Sequence, residues 1–216
     1  MDLHGVSPSL LEVAAMMILR SSPPSPFGRK VKIAAKLLGV FDRIRVEVTD
    51  TTNPADSIRQ QNPLGKIPAL ILEDGTVLFD SRVIAEYLDQ LGGGGRLFPR
   101  NSSRWAVLTQ AALADGIMDA ALLLRYERTL RPEAHWSAPW IASQESKVAR
   151  GLTVLEATPP GLGDPPDISQ IGIACALGYL DLRFEGKWRA GHPKLSGWLD
   201  RFATAIPAFA ETKVVA

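Results

Sequence analysis

The chain has 216 residues, of which 46% are apolar and 22% charged, and carries a net charge of +1. This is ordinary globular composition with core enough for one large or two modest domains, and no charge excess argues for nucleic acid or an anionic membrane. The single cysteine, Cys175, excludes an internal disulfide framework and a multi-cysteine metal site, and His4, His135 and His192 show no zinc spacing. A reducing, cytoplasmic setting is expected. No apolar run approaches the roughly 20 residues of a membrane span. The first 20 residues lack the basic start and apolar centre of a signal peptide, and residues 1–15 read as an N-terminal extension, with a short helix or translation from an early start codon as alternatives.

The first predicted element is a short apolar strand, "MMILRSS", running into a proline-serine turn, "SSPPSPF". "FGRKVKIAAKLLGV" follows, with Val31, Ala34, Ala35 and Leu38 on one helical face, Arg and Lys between them, and Gly39 as a stop. "RIRVEVTD" alternates apolar and charged residues as a half-buried strand does. After a connector comes "NPLGKIPAL". Proline cannot donate a ladder hydrogen bond, so Pro68 belongs at a strand's first residue, on an edge or in a turn. From these nine residues a trans proline opening the strand and a cis proline both remain open. "ALIL" and "VLF" flank an Asp-Gly turn, a hairpin signal, and Asp80 with Ser81 begins the amphipathic helix "SRVIAEYLDQL".

The run "GGGG" at 92–95 is a composition break without the strand, lysine and helix of a phosphate loop. Beyond Arg104 the period is helical throughout, in "RWAVLTQAALADGIMDAALLLRYERTL", "SAPWIASQESKVARGLTVLEAT", "ISQIGIACALGYLDLRF" and "PKLSGWLDRFATA". Asp167 and Gln170 form an acidic version of an N-terminal capping box. Mixed strands and helices followed by helices alone imply two layers of different design.

Four stretches in this order and spacing resemble the cytosolic glutathione transferases: "SPFGRKVKIAAKLLG", "NPLGKIPAL", "LFDSRVIAEYL" and "ISQIGIACALGYLDLR". The resemblance covers residues 16–210 or so and points to the serine-type, theta- and zeta-like classes. It implies an α/β thioredoxin-like domain over 16–91, a linker over 92–104 and an all-α domain over 105–216. It also implies a cis peptide before Pro68, a homodimer, and glutathione as co-substrate with no further cofactor.

Glutathione has two carboxylates, an amine and a thiol. The resemblance places Ile67 and Pro68 against its backbone, Asp80 and Ser81 at its γ-glutamyl end, and Lys66 as counter-charge to the other carboxylate. Phe27 belongs to the same binding turn, and Ser25 matches the serine that donates to the thiolate; Ser21 and Ser22 are alternatives, and plain turn or cap chemistry competes for all of them. Omega-like thiol exchange is disfavoured because the turn has no cysteine, and Cys175 reads as packing. The implied activity is conjugation of the thiolate to a small electrophile held between the domains near Met118, Leu122 and Tyr126. The alternatives are a binding or regulatory protein on the same fold, and a glutathione-dependent isomerase or dehalogenase.

Overall fold

The computed structural model describes residues 16–214; the extension read at 1–15 lies outside the described residues. Strand β1 (Met17–Ser21) leads through α1 (Pro26–Leu37) to β2 (Ile44–Val48), and the helical crossover makes the two strands parallel. The hairpin β3 (Ala69–Ile71) and β4 (Val77–Leu78) then adds antiparallel, giving the sheet order β2-β1-β3-β4. Gly75, with φ 86°, turns the hairpin, and Leu72 and Thr76 close it at 2.8 Å. Met17, Leu19 and Leu70 from the sheet are buried with Val31, Ala34 and Ala35 of α1 and with Ile84 and Leu88 of α3 (Ser81–Leu91).

Two readings of this half need correction. Of the apolar residues in β2 only Ile44 is buried, because the strand is at the sheet edge; Val46 and Val48 are exposed. The basic residues that open α1 are not on a solvent face: Arg29 and Lys30 are buried, because α1 is covered by α3 on one side and by the helical half on the other. The connector holds an unanticipated turn of helix, α2 (Ile58–Gln61). Arg20 pins it, with Nε donating to Thr49 Oγ1 at 2.9 Å, Nη1 to Ser57 Oγ at 2.9 Å and Gln61 Oε1 at 2.6 Å, and Nη2 to Asp56 at 2.7 Å.

The helical half contains α4 (Arg104–Leu130), α5 (Ala138–Ala157), α6 (Ile168–Phe184), α7 (Pro193–Ala205) and a short α8 (Pro207–Glu211) that the sequence period did not reveal. Helix α6 is apolar on every side and is buried over most of its length. Its capping box is formed: Asp167 accepts from the backbone N–H groups of Ser169 and Gln170 at 2.9 and 3.1 Å, and Gln170 Oε1 accepts from Asp167 N at 2.9 Å. By length and composition α4 is apolar enough to cross a membrane, which the search for long apolar runs did not register; here it packs against α5 and α6.

The glycine run between the halves is not slack. Asp89, at the end of α3 and 2% exposed, accepts from the backbone N–H groups of Gly95, Arg96 and Leu97 at 2.7, 3.1 and 2.8 Å. Gly93, Gly94 and Gly95 all have positive φ, between 75° and 104°, which is why the crossing uses glycine. Asp89→Asn removes the charge and one acceptor, so we expect a loss of about 2 kcal/mol in urea unfolding. A shift below about 0.5 kcal/mol would show that the cage contributes little.

The halves also meet through a buried ion pair. Lys30 Nζ of α1 lies 2.6 Å from Asp115 Oδ1 of α4, and Arg82 Nε of α3 approaches Asp115 Oδ2 at 3.2 Å.

Candidate functional site

Strand register brings three of the singled-out stretches to one edge of the sheet, the one formed by the strand ends where β1 finishes and β3 begins. Arg20 of β1 pairs with Ala69 of β3, and Leu70 of β3 pairs with Leu78 of β4. Carried one or two residues further, the same register sets Pro68 beside Ser21 and beside the Phe79–Asp80 end of β4. The turn after β1, the proline loop and the start of α3 therefore converge, and the N-termini of α1 and α3 open on that edge. Free backbone N–H groups and the positive ends of two helix dipoles favour anionic groups there. The Ile67–Pro68 peptide is cis, as the resemblance implies, and the Phe79–Asp80 and Asp164–Pro165 peptides are cis as well.

Ser25 is the N-cap of α1, ahead of Pro26 at the first helical position. Its Oγ accepts from Gly28 N at 3.1 Å, which leaves the hydroxyl proton free to be donated outward. Ser21 is buried at the end of β1, and a Cβ at Gly28 would collide with its Oγ, so the helix start is tied closely to the strand end. Ser22 supplies a carbonyl to Ser25 N at 3.1 Å, a turn contact. Phe27 is partly buried against the core with its ring 5.9 Å from Lys30 Nζ.

Asp80 caps α3, its Oδ1 accepting from Arg82 N at 2.9 Å, while Ser81 beside it is buried at the first helical position. Among the described residues the Ser81 hydroxyl makes no side-chain hydrogen bond. Lys66 is exposed, and Ile67 is half-buried ahead of the buried Pro68. The proline loop is shaped by Asn62, which sequence reading did not single out: its Nδ2 donates to Lys66 O at 2.9 Å and its Oδ1 accepts from Leu64 N at 3.0 Å. A further missed group is Asp119 on α4. Desolvation by the surrounding protein and then the Asp115 carboxylate hold its carboxyl above the usual range, against the pull of Arg82 and Lys66. Its position near Lys66 and Asp80 comes from the docking of α4, for which no local sequence signal exists.

A cavity of about 690 Å³ opens beside Ser25, lined by Pro24 and Arg29 from the turn and α1, Cys175 and Tyr179 from α6, and Phe209 from α8. The α4 residues Met118, Leu122 and Tyr126 do not line it: Met118 is in the core and Tyr126 is exposed. Burial pushes the Cys175 thiol up to about 11, so it stays protonated at neutral pH and packs as a small apolar group.

Residues 24–91 match the family described as glutathione S-transferase, N-terminal domain, and residues 138–201 match glutathione S-transferase, C-terminal domain. The chain belongs to the glutathione transferase family. It is 38% identical to the GST-like protein YibF of Escherichia coli K12 over 171 residues, 77% of this chain and 83% of that protein. Among solved structures it is similar to a glutathione transferase family member from Pseudomonas fluorescens Pf-5 with bound glutathione (41% identity, TM-score 0.85, covering 93% of this chain and 100% of that one). A family member from the same organism with bound S-(propanoic acid)-glutathione gives 42% identity and a TM-score of 0.81, over 92% and 100% of the two chains. The fold is therefore that of the transferases, with a thioredoxin-like N-terminal part and a mostly helical C-terminal one.

Proposed function

We propose that this glutathione transferase family member binds glutathione at the sheet edge and conjugates its thiolate to a small electrophile, yielding a thioether. The observation that carries the reading is the convergence of the α1 start, the Ile67–Pro68 loop and the α3 start on one edge. Relatives with more than 40% identity and glutathione or an S-substituted glutathione bound support it. In this reading the backbone of Ile67, beside Pro68, pairs with the cysteinyl part of the ligand, as an added strand would. Ser81 and the free amides at the start of α3 take the γ-glutamyl carboxylate, with Asp80 holding the helix start. Lys66 balances the glycyl carboxylate, Phe27 packs beneath the binding turn, and Ser25 donates to the thiolate in the manner of the serine-type classes. The cavity beside Ser25 receives the electrophile.

Calorimetric titration with glutathione tests the placement. Ser81→Ala should weaken binding by about 1–3 kcal/mol, the range for unpairing a charged group. Equal affinities for variant and wild type would move the γ-glutamyl end elsewhere.

The protein also acts as a two-fold homodimer in this reading. Leu123, Tyr126 and Leu130 are exposed at helical spacing in the last turns of α4, Trp105 is exposed at its start, and Val83 of α3 is exposed as well. Exposed apolar side chains of this kind suit an interface, and two-fold dimers are the commonest soluble assembly. Light scattering at micromolar protein should return twice the chain mass; a monomer mass would count decisively against the dimer.

A further inference from the structure

We propose that the cavity beside Ser25 contains an anion subsite, in which the Arg29 guanidinium receives a carboxylate of the second substrate. The inference rests on the glutathione reading and adds the class of electrophile: a small molecule bearing a carboxylate near its reactive carbon.

Arg29 lies one turn beyond Ser25 on α1, and both line the same cavity. Its residue surface is only 8% exposed, so its charge is held largely out of water. The contacts it makes are to neutral groups. Nη2 donates to the Phe209 carbonyl at 2.6 Å, Nε donates to Thr212 Oγ1 at 3.3 Å, and the guanidinium stacks 3.9 Å from the Phe209 ring centroid. Among the described residues Arg29 has no ion-pair partner, and its Nη1 has no hydrogen-bond acceptor.

A buried cation with no counter-ion is costly, and buried charges are normally paired. The nearby candidates are already used or neutral. Asp181 is held by Arg189 Nη2 at 2.7 Å and by the Trp188 indole N–H at 2.8 Å. Cys175 keeps its proton, as described above. Burial is the largest influence on Arg29 and pulls its pKa below the ordinary guanidinium value, which is the mark of a charge short of a partner. Counting the lining side chains, Arg29, Arg189 and Lys213 face Asp181 and Asp200, three cations against two carboxylates.

Gly178 on α6 makes room for the guanidinium: a Cβ there would lie 2.6 Å from Nη1. The free N–H groups on Nη1 can donate to a carboxylate in a charge-assisted bond, short and directional. A small acid held there would sit within the same cavity as the hydroxyl that faces the thiolate.

The clamp on α8 is the rival account, in which Arg29 only ties that short helix to α1. Calorimetric titration with S-(2-carboxyethyl)glutathione and with S-propylglutathione, which differ by the carboxylate, separates the two. The wild type should prefer the carboxylate conjugate by about tenfold. Arg29→Met should lose that preference while binding glutathione itself about as well as the wild type. Arg29→Lys, which keeps the charge, should retain part of it. The two-ligand comparison in the wild type needs no variant, so it decides the matter even if Arg29→Met fails to fold. Glutathione binding without any preference overturns the subsite alone. A preference that survives in Arg29→Met overturns its assignment to Arg29. No binding of glutathione by the wild type overturns the glutathione reading, and this inference falls with it.

Discussion

Lys30→Met should destabilise the protein by about 3–5 kcal/mol, a large part of what holds a domain of this size together. The Lys30 and Asp115 side chains are 2% and 4% exposed, and their charged atoms are 2.6 Å apart. Taking either charge out of water is unfavourable, and only the pairing offsets it. Methionine fills most of the space but leaves Asp115 facing Arg82, whose side chain is 61% exposed and whose contact is the longer at 3.2 Å. That pair is screened by solvent and replaces little of what is lost. Urea unfolding should show a lower midpoint with an unchanged slope, because the surface exposed on unfolding is the same. The double variant Lys30→Met with Asp115→Leu removes both charges together and should recover most of the loss. Recovery separates an unpaired buried charge from simple loss of packing; a double variant as unstable as the single one would point to packing.

Ser25→Ala should raise the pKa of the bound glutathione thiol and lower turnover by roughly tenfold for each unit, if thiolate population limits the rate. The sign follows from the donor. A hydroxyl that donates to sulfur stabilises the thiolate, so wild-type activity appears at lower pH and the profile of the variant moves upward. Glutathione should still bind, because the contacts proposed for its carboxylates are at the proline loop and at α3. The structure adds a cost that a bare turn residue would not have. Ser25 Oγ accepts from Gly28 N, so alanine also removes an N-cap, worth about 1 kcal/mol of stability. Ser22→Ala is the matched control, since the Ser22 side chain caps nothing in α1. A raised thiol pKa in Ser22→Ala and not in Ser25→Ala would reassign the donor. No change in either would leave activation to the α1 dipole and its amides.

Legibility in the sequence followed the range of each interaction. Local chemistry could be read: the Asp74-Gly75 turn, the Asp80 start of α3 and the Asp167/Gln170 box all appear as sequence patterns and as hydrogen bonds. The cis Ile67–Pro68 peptide was legible only through family resemblance, since nine residues were compatible with either isomer. Helices α2 and α8 escaped because each is too short to show a period and is held by tertiary contacts. The burial of Arg29 and Lys30 could not be read locally, because their partners, Phe209 and Asp115, are 180 and 85 residues away. The cavity beside Ser25 has no local signature for the same reason: the docking of α6 and α8 on α1 defines it, and no segment encodes that docking alone.

The caged crossing at Gly93–Leu97 governs how the protein can change shape. A hinge needs backbone whose dihedrals can turn without losing partners. Here any such rotation would strip three amides from one buried carboxylate, and the buried lysine on α1 resists the same movement from the other side. The two halves therefore move as one mechanical body, and the mouth beside Ser25 cannot widen by swinging open. Helix α8 adds to this rigidity, since Ala208 and Phe209 are buried in the core and Arg29 donates to the Phe209 carbonyl at 2.6 Å, so packing and not a hinge sets the shape of the mouth.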